Sequence, residues 1–194
     1  TNPSLVSKER VDFKRVVKEI CKIVNGPVSA EVVATDTEGM LKEGRDIATW
    51  AENVVVKCPL TPPGLAATSR LSQEGIKVNV TLCFSVNQAI LAARVGASFV
   101  SPFIGRLEDI NEDGCALVEQ IVEVFHIHGF NTKVLAASIR TPMQVTRVAL
   151  AGADIATMPY KVFKQLVSHP LPDAGLAKFL SDWQTEHASA GVKV

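Results

Sequence analysis

What the chain lacks narrows the reading first. Its 20 basic and 20 acidic side chains cancel, so no net charge draws it to nucleic acid or to an anionic membrane. No stretch is long and apolar enough to span a bilayer, and no basic-then-apolar segment opens the chain, so a cytoplasmic protein is expected. Cys21, Cys58, Cys83 and Cys115 form no CxxC pair, and reduced, buried thiols in a reducing compartment are expected. No cluster of His, Asp and Glu has metal-ligand spacing, so neither a metal nor another cofactor is expected. His126 and His128, close together at a helix end, read as solvated. No GxGxxG turn follows a strand, which counts against dinucleotide binding. Methionine is missing from the start, which is Thr1-Asn2-Pro3.

What is present is a regular alternation. Hydrophobic residues make up 47% of the 194, enough for one sizeable core. Short, continuous apolar runs predict strands over residues 28–34, 53–59, 77–84, 98–104, 133–139 and 154–158. Helices are predicted over 11–24, 35–51, 61–75, 85–95, 115–128, 141–152, 160–168 and 176–183. Thr35 to Glu38 reads as a capping box, and Pro62 follows the cap Thr61. Residues 105–114, rich in Asp, Asn and Gly, read as a polar loop. Strands without polar alternation suit a parallel sheet under helices. A doubly wound sheet and a (β/α)8 barrel both fit that pattern. The unusual polar residues, Glu31, Lys57, Thr81, Ser101, Ser138 and Arg140, gather at strand C-terminal ends, which favours the barrel. The count is six strands plus a strand tip at Thr1-Asn2. The expectation is one barrel domain over 1–194, lacking its first strand and helix, with 173–194 as a C-terminal helix and tail.

Lys57 closes the run Val54-Val55-Val56 before Pro59. As a lone residue, a lysine there is more often a strand end that snorkels to water. The sharper reading is an amine in a poorly solvated pocket that attacks a carbonyl and forms a Schiff base.

Six strings decide between these readings: Thr1-Asn2-Pro3-Ser4, Ser29-Ala30-Glu31-Val32, Val55-Val56-Lys57-Cys58-Pro59, Asn79-Val80-Thr81-Leu82-Cys83-Phe84-Ser85, Ser101-Pro102-Phe103-Ile104-Gly105-Arg106 and Ala136-Ala137-Ser138-Ile139-Arg140. In this order, and over nearly the whole chain, they resemble the transaldolases, in particular the small bacterial type akin to fructose-6-phosphate aldolase. The resemblance implies a class I (β/α)8 barrel that needs no cofactor, with Lys57 as the imine lysine. It implies that Glu31 and Thr81 hold the water that shuttles protons during imine formation and hydrolysis. It also implies that Arg140 and Ser138, beside the start of the next helix, bind the substrate phosphate, with Arg106 assisting. Asn2, Ser29, Asn79 and Ser101 match positions that bond substrate hydroxyls or order the pocket; alone, each reads equally well as a satisfied strand-end group. The aldolases of the family usually carry Gln at the position of Glu31 and Tyr at that of Phe103, so this chain departs toward transaldolase.

The implied activity is transfer of a dihydroxyacetone unit from sedoheptulose 7-phosphate or fructose 6-phosphate to erythrose 4-phosphate or glyceraldehyde 3-phosphate, a step of the pentose phosphate pathway. Two rivals remain: a fructose-6-phosphate aldolase, and a barrel that binds sugar phosphate without turnover. The second arises because the family's first-strand Asp, the acid/base for the C4 hydroxyl, has no counterpart here. The resemblance further implies a homo-oligomer, a ring of five or a stacked pair of rings, built through residues 176–183.

Overall fold

The structure, a computed structural model, describes residues 12–190, with side chains through residue 187. Asn2 and the expected strand tip therefore lie outside the described residues. The chain divides into two compact units that meet between Met158 and Pro159.

The first unit is a parallel sheet and its crossover helices. In order it runs α1 (Phe13–Ile23), β1 (Val28–Glu31), α2 (Thr37–Ala48), β2 (Val54–Pro59), α3 (Pro62–Gln73), β3 (Val78–Cys83), α4 (Val86–Arg94), β4 (Phe99–Pro102), α5 (Ile104–Glu108), α6 (Gly114–His128), β5 (Lys133–Ala136), α7 (Pro142–Leu150) and β6 (Ile155–Ala156). The six strands lie side by side in chain order, and every neighbouring pair is parallel. That order separates the two architectures left open by the pattern. A doubly wound sheet reverses its strand order at a switch point. Here the order never reverses, so right-handed crossovers carry the helices between the strands to one face, as in a (β/α)8 barrel wall. The fold is α/β, an all-parallel six-stranded part of such a barrel.

The helix-facing side of the sheet is the core. Ala30, Val54, Val56, Cys58, Val78, Val80, Val100, Val134 and Ala136 are all buried there, and each large one contributes about 1.5–3 kcal/mol of burial. Met40 and Leu41 from α2, Leu71 from α3 and Ile121 from α6 are buried with them. Packing is close enough to dictate glycine at Gly64, where a Cβ would stand 1.9 Å from the Pro59 carbonyl oxygen. All four cysteines are buried and unpaired, and burial pushes the Cys58 and Cys83 thiols up to about 12.

Several boundaries differ from the sequence reading. The cap of α2 is Asp36, whose carboxylate accepts from the Gly39 amide at 2.9 Å, not Thr35. The strand expected over 98–104 ends at Pro102, and the polar loop that follows contains α5. The strand expected over 133–139 ends at Ala136, because the backbone turns to positive φ at Ser138.

The second unit holds α8 (Tyr160–Gln165) and α9 (Pro170–Ala190). The last helix is longer than the expected 176–183. Its first residue is Pro170, a position where proline loses no helical hydrogen bond. Lys178 pairs with Asp182 one turn on, and the Trp183 and His187 rings stack.

Candidate active site

Parallel strands put all their C-terminal ends on one edge, and the side chains of one face lie in register. Glu31 pairs with Lys57 across β1 and β2, and Lys57 pairs with Asn79 across β2 and β3. Thr81 and Ser101 follow on the same face by the two-residue period. This is the face opposite the helices.

Lys57 does not snorkel. The residue is 8% exposed, and its Nζ donates to Glu31 Oε2 at 2.8 Å. Such a pair loses much of its Coulombic gain to desolvation, so packing alone gives little reason for it. The Phe103 ring closes the other side, its centroid 5.9 Å from Nζ. That ring is held edge-on by Phe84, and the Phe103 backbone bridges to Ala137 on the segment that leads to Arg140.

A polar row lies alongside. Ser101 Oγ donates to Asn79 Oδ1 at 2.8 Å, and Asn79 Nδ2 donates to Ser29 Oγ at 3.1 Å, spanning β2. Asn79 and Ser101 are buried, so their orientation is fixed by these bonds. Thr81 is fully buried, and its hydroxyl is the orphan among buried side-chain polar atoms of the described residues. A buried hydroxyl without a partner forfeits the hydrogen bond it would make in water. The register of β3 shifts between Val80 and Cys83, and Leu82 has a φ of 60°. A bulky residue in that region is strained, and the strain sits one residue beyond Thr81.

The expected phosphate side is built from two loops. Ser138, also at positive φ, gives its carbonyl to the Gly105 amide at 3.1 Å. Arg140 is exposed and pairs through both Nη atoms with Asp109, just past α5. The guanidinium holds the Asp109 carboxyl below its ordinary range, with Arg106 adding to the effect. Arg106 itself is exposed on α5. The Arg140 and Thr141 amides both donate to Gln144 Oε1, at 2.6 and 3.1 Å, so the capping box of α7 takes up these amides. Gln144 Nε2 in turn donates to Glu108. Asp113, the cap of α6, accepts from Arg147 at 2.6 Å. Thus Glu108, Asp109 and Asp113 all reach α7 or the residues just before it.

The structure pairs Lys57 with Glu31, sets the Phe103 ring over Lys57, and links Ser29, Asn79 and Ser101. Thr81 shares their face; Ser138 and Arg140 stand at the same sheet edge on a loop, and Arg106 on α5. The sequence reading missed Asp109, Gly105, Glu108 and Gln144. Gln144 was findable as the third residue after a Thr-Pro helix start. Among the described residues, no group of three or more His, Cys, Asp or Glu side chains is arranged to hold a metal ion, and no helix is long and apolar enough to cross a membrane.

The sequence pattern of the Transaldolase/Fructose-6-phosphate aldolase family matches residues 1–192. A protein named "Probable transaldolase" from Methanococcus maripaludis strain S2 is 58% identical over 184 residues, 95% of this chain and 86% of that protein. A protein of the same name from Agathobacter rectalis is 59% identical over 186 residues, with the same coverage, and one from Brevibacillus brevis is 56% identical over 183. Among solved structures, a variant of mandelate oxidase superposes with a TM-score of 0.55 at 16% identity, over 73% of this chain and 52% of that one. Inosine 5' monophosphate dehydrogenase from Legionella pneumophila gives 0.57 at 13%, over 79% and 49%. This chain thus covers about half of each solved relative, and at such identity the likeness is one of fold.

Proposed function

The chain belongs to the transaldolase/fructose-6-phosphate aldolase family, and we propose that it is a transaldolase working through a Schiff base on Lys57. The observation that carries this reading is the buried pair of Lys57 with Glu31, closed over by Phe103. An amine must be neutral to attack a carbonyl, and Glu31 Oε2, 2.8 Å from Nζ, is within reach to take its proton. The amine adds to C2 of a ketose phosphate, and the carbinolamine loses water to give the imine. As the C4 hydroxyl passes its proton to water, the C3–C4 bond breaks and its electron pair moves into the iminium. An aldose phosphate leaves, and the dihydroxyacetone unit stays on Lys57 as an enamine. The enamine attacks the aldehyde of a second aldose phosphate, and hydrolysis frees the new ketose.

Each imine step moves protons between nitrogen, oxygen and water. Glu31 and the orphan hydroxyl of Thr81 suit a shared water in that shuttle. Ser29, Asn79 and Ser101 supply hydroxyl and amide groups for the sugar, while Arg140, with Ser138 and Arg106, takes its phosphate. The donors are fructose 6-phosphate and sedoheptulose 7-phosphate, as in the pentose phosphate pathway, and the setting is cytoplasmic. A homo-oligomeric ring belongs to the same proposal: Leu176, Phe179, Leu180 and Trp183 are exposed at helical spacing along α9, an apolar stripe suited to another subunit.

The test is product analysis. With fructose 6-phosphate and erythrose 4-phosphate, the whole protein should form sedoheptulose 7-phosphate and glyceraldehyde 3-phosphate. Release of free dihydroxyacetone as fast as transfer would make it the aldolase instead.

A further inference from the structure

A guanidinium offers five N–H donors in a planar fork and chelates an anion through paired donors along one edge. In Arg140 the terminal edge is already taken. Both Nη atoms donate to the two carboxylate oxygens of Asp109, Nη2 to Oδ2 at 2.7 Å. The other edge lies against backbone: a Cβ at Gly105 would stand 2.6 Å from Nε and 3.0 Å from Cδ. The edge free to chelate an incoming anion is therefore held by a carboxylate of the same chain. Two carboxylate oxygens on that edge have the geometry of two phosphate oxygens. Both side chains are about half exposed, 46% and 49%, so an anion from solvent can reach the pair. The neighbours of Asp109 are held by side chains other than the Arg140 guanidinium: Glu108 by Gln144 and Asp113 by Arg147.

We propose that Asp109 is a resident counter-ion that the substrate phosphate displaces from Arg140. Asp109 is a positioning residue: it acts through Arg140, touches no reacting atom, and sets the affinity for phosphorylated sugars. Without substrate it keeps the fork aligned. With substrate it competes for the same donors, so affinity is held down and release of a phosphorylated product is eased. The ligand class is a phosphate monoester, and the inference rests on the phosphate role proposed above for Arg140.

Inorganic phosphate is the probe, read as a competitive inhibitor of the whole protein. In Asp109→Asn and Asp109→Ala its inhibition constant should fall about two- to fivefold, the scale of one exposed ion pair. KM for fructose 6-phosphate should fall in step, so that the ratio of KM for fructose to KM for fructose 6-phosphate rises. Both effects should vanish in an Arg140→Ala background, and thermal melts show that each variant is folded. If phosphate binds no tighter in the Asp109 variants while Arg140→Ala still weakens it, Asp109 is only a brace and the inference is overturned alone. If Arg140→Ala leaves phosphate inhibition untouched, the phosphate role of Arg140 fails and the inference fails with it.

Discussion

The site holds two ion pairs that differ mainly in their access to water. Lys57 and Glu31 meet at 2.8 Å with side chains 10% and 17% exposed. Arg140 and Asp109 meet as closely, but with half of each side chain in solvent. The first sits on adjacent strands in register, so the sheet itself sets its geometry. The second joins two loops 31 residues apart. Burial makes a charge pair expensive to form and costly to break, which suits groups that must stay poised for proton transfer. Exposure makes a pair weak and exchangeable, which suits a group that must let go for a ligand.

The largest effect is expected at Glu31. Glu31→Gln keeps the shape and removes the base, so turnover should fall about a hundredfold to ten-thousandfold, and the unpaired Lys57 should lower the thermal midpoint while the protein still folds. Turnover within a few-fold of wild type would show that the buried pair is structural. Next is Arg140→Ala, which should raise KM for fructose 6-phosphate about tenfold or more and leave a smaller loss with fructose. An equal loss with both donors would remove the phosphate from the exposed pair.

Phe103→Tyr sharpens the buried side. Phe103 offers no acid to the enamine, whereas a tyrosine hydroxyl does. The ratio of dihydroxyacetone released to sedoheptulose 7-phosphate formed should rise several-fold, measured with and without acceptor. A ratio that stays put would take Phe103 out of the choice between transferase and aldolase.

The smallest effect belongs to Asp113, another exposed partner in the loops. Its bond from Arg147, then those from the α6 amides, hold its carboxyl below the ordinary range. A depressed carboxyl contributes stability above its unfolded value, near 4, and loses it as pH falls through the folded value. Asp113→Asn should therefore lower the thermal midpoint slightly at neutral pH, and the gap to wild type should close in acid. A gap that does not change with pH would mean the charge contributes nothing.

The buried half of the site was far more legible in the sequence than the exposed half. Val54 to Val56 announces a covered strand, and a lysine that ends such a run stands out against its neighbours. Ser29, Glu31, Asn79 and Thr81 were marked by the motifs that carry the resemblance and by their place at strand C-terminal ends. The Asp109 pair gave no such signal, because it depends on how two loops meet. Helix α5 was hidden because five residues carry too little periodicity to read. The positive φ at Leu82 and Ser138 was equally silent, since neither residue type signals it. The start of α9 was missed for a local reason: Pro170 and Pro172 look like breakers, yet both fall in the first turn.

Covalent trapping reads the role of Lys57 directly. The whole protein is incubated with fructose 6-phosphate, reduced with borohydride, digested and weighed peptide by peptide. A reduced dihydroxyacetone adduct is expected on the peptide that holds Lys57, absent from Lys57→Ala. An adduct on another lysine, or none while sugar is still turned over, would contradict it.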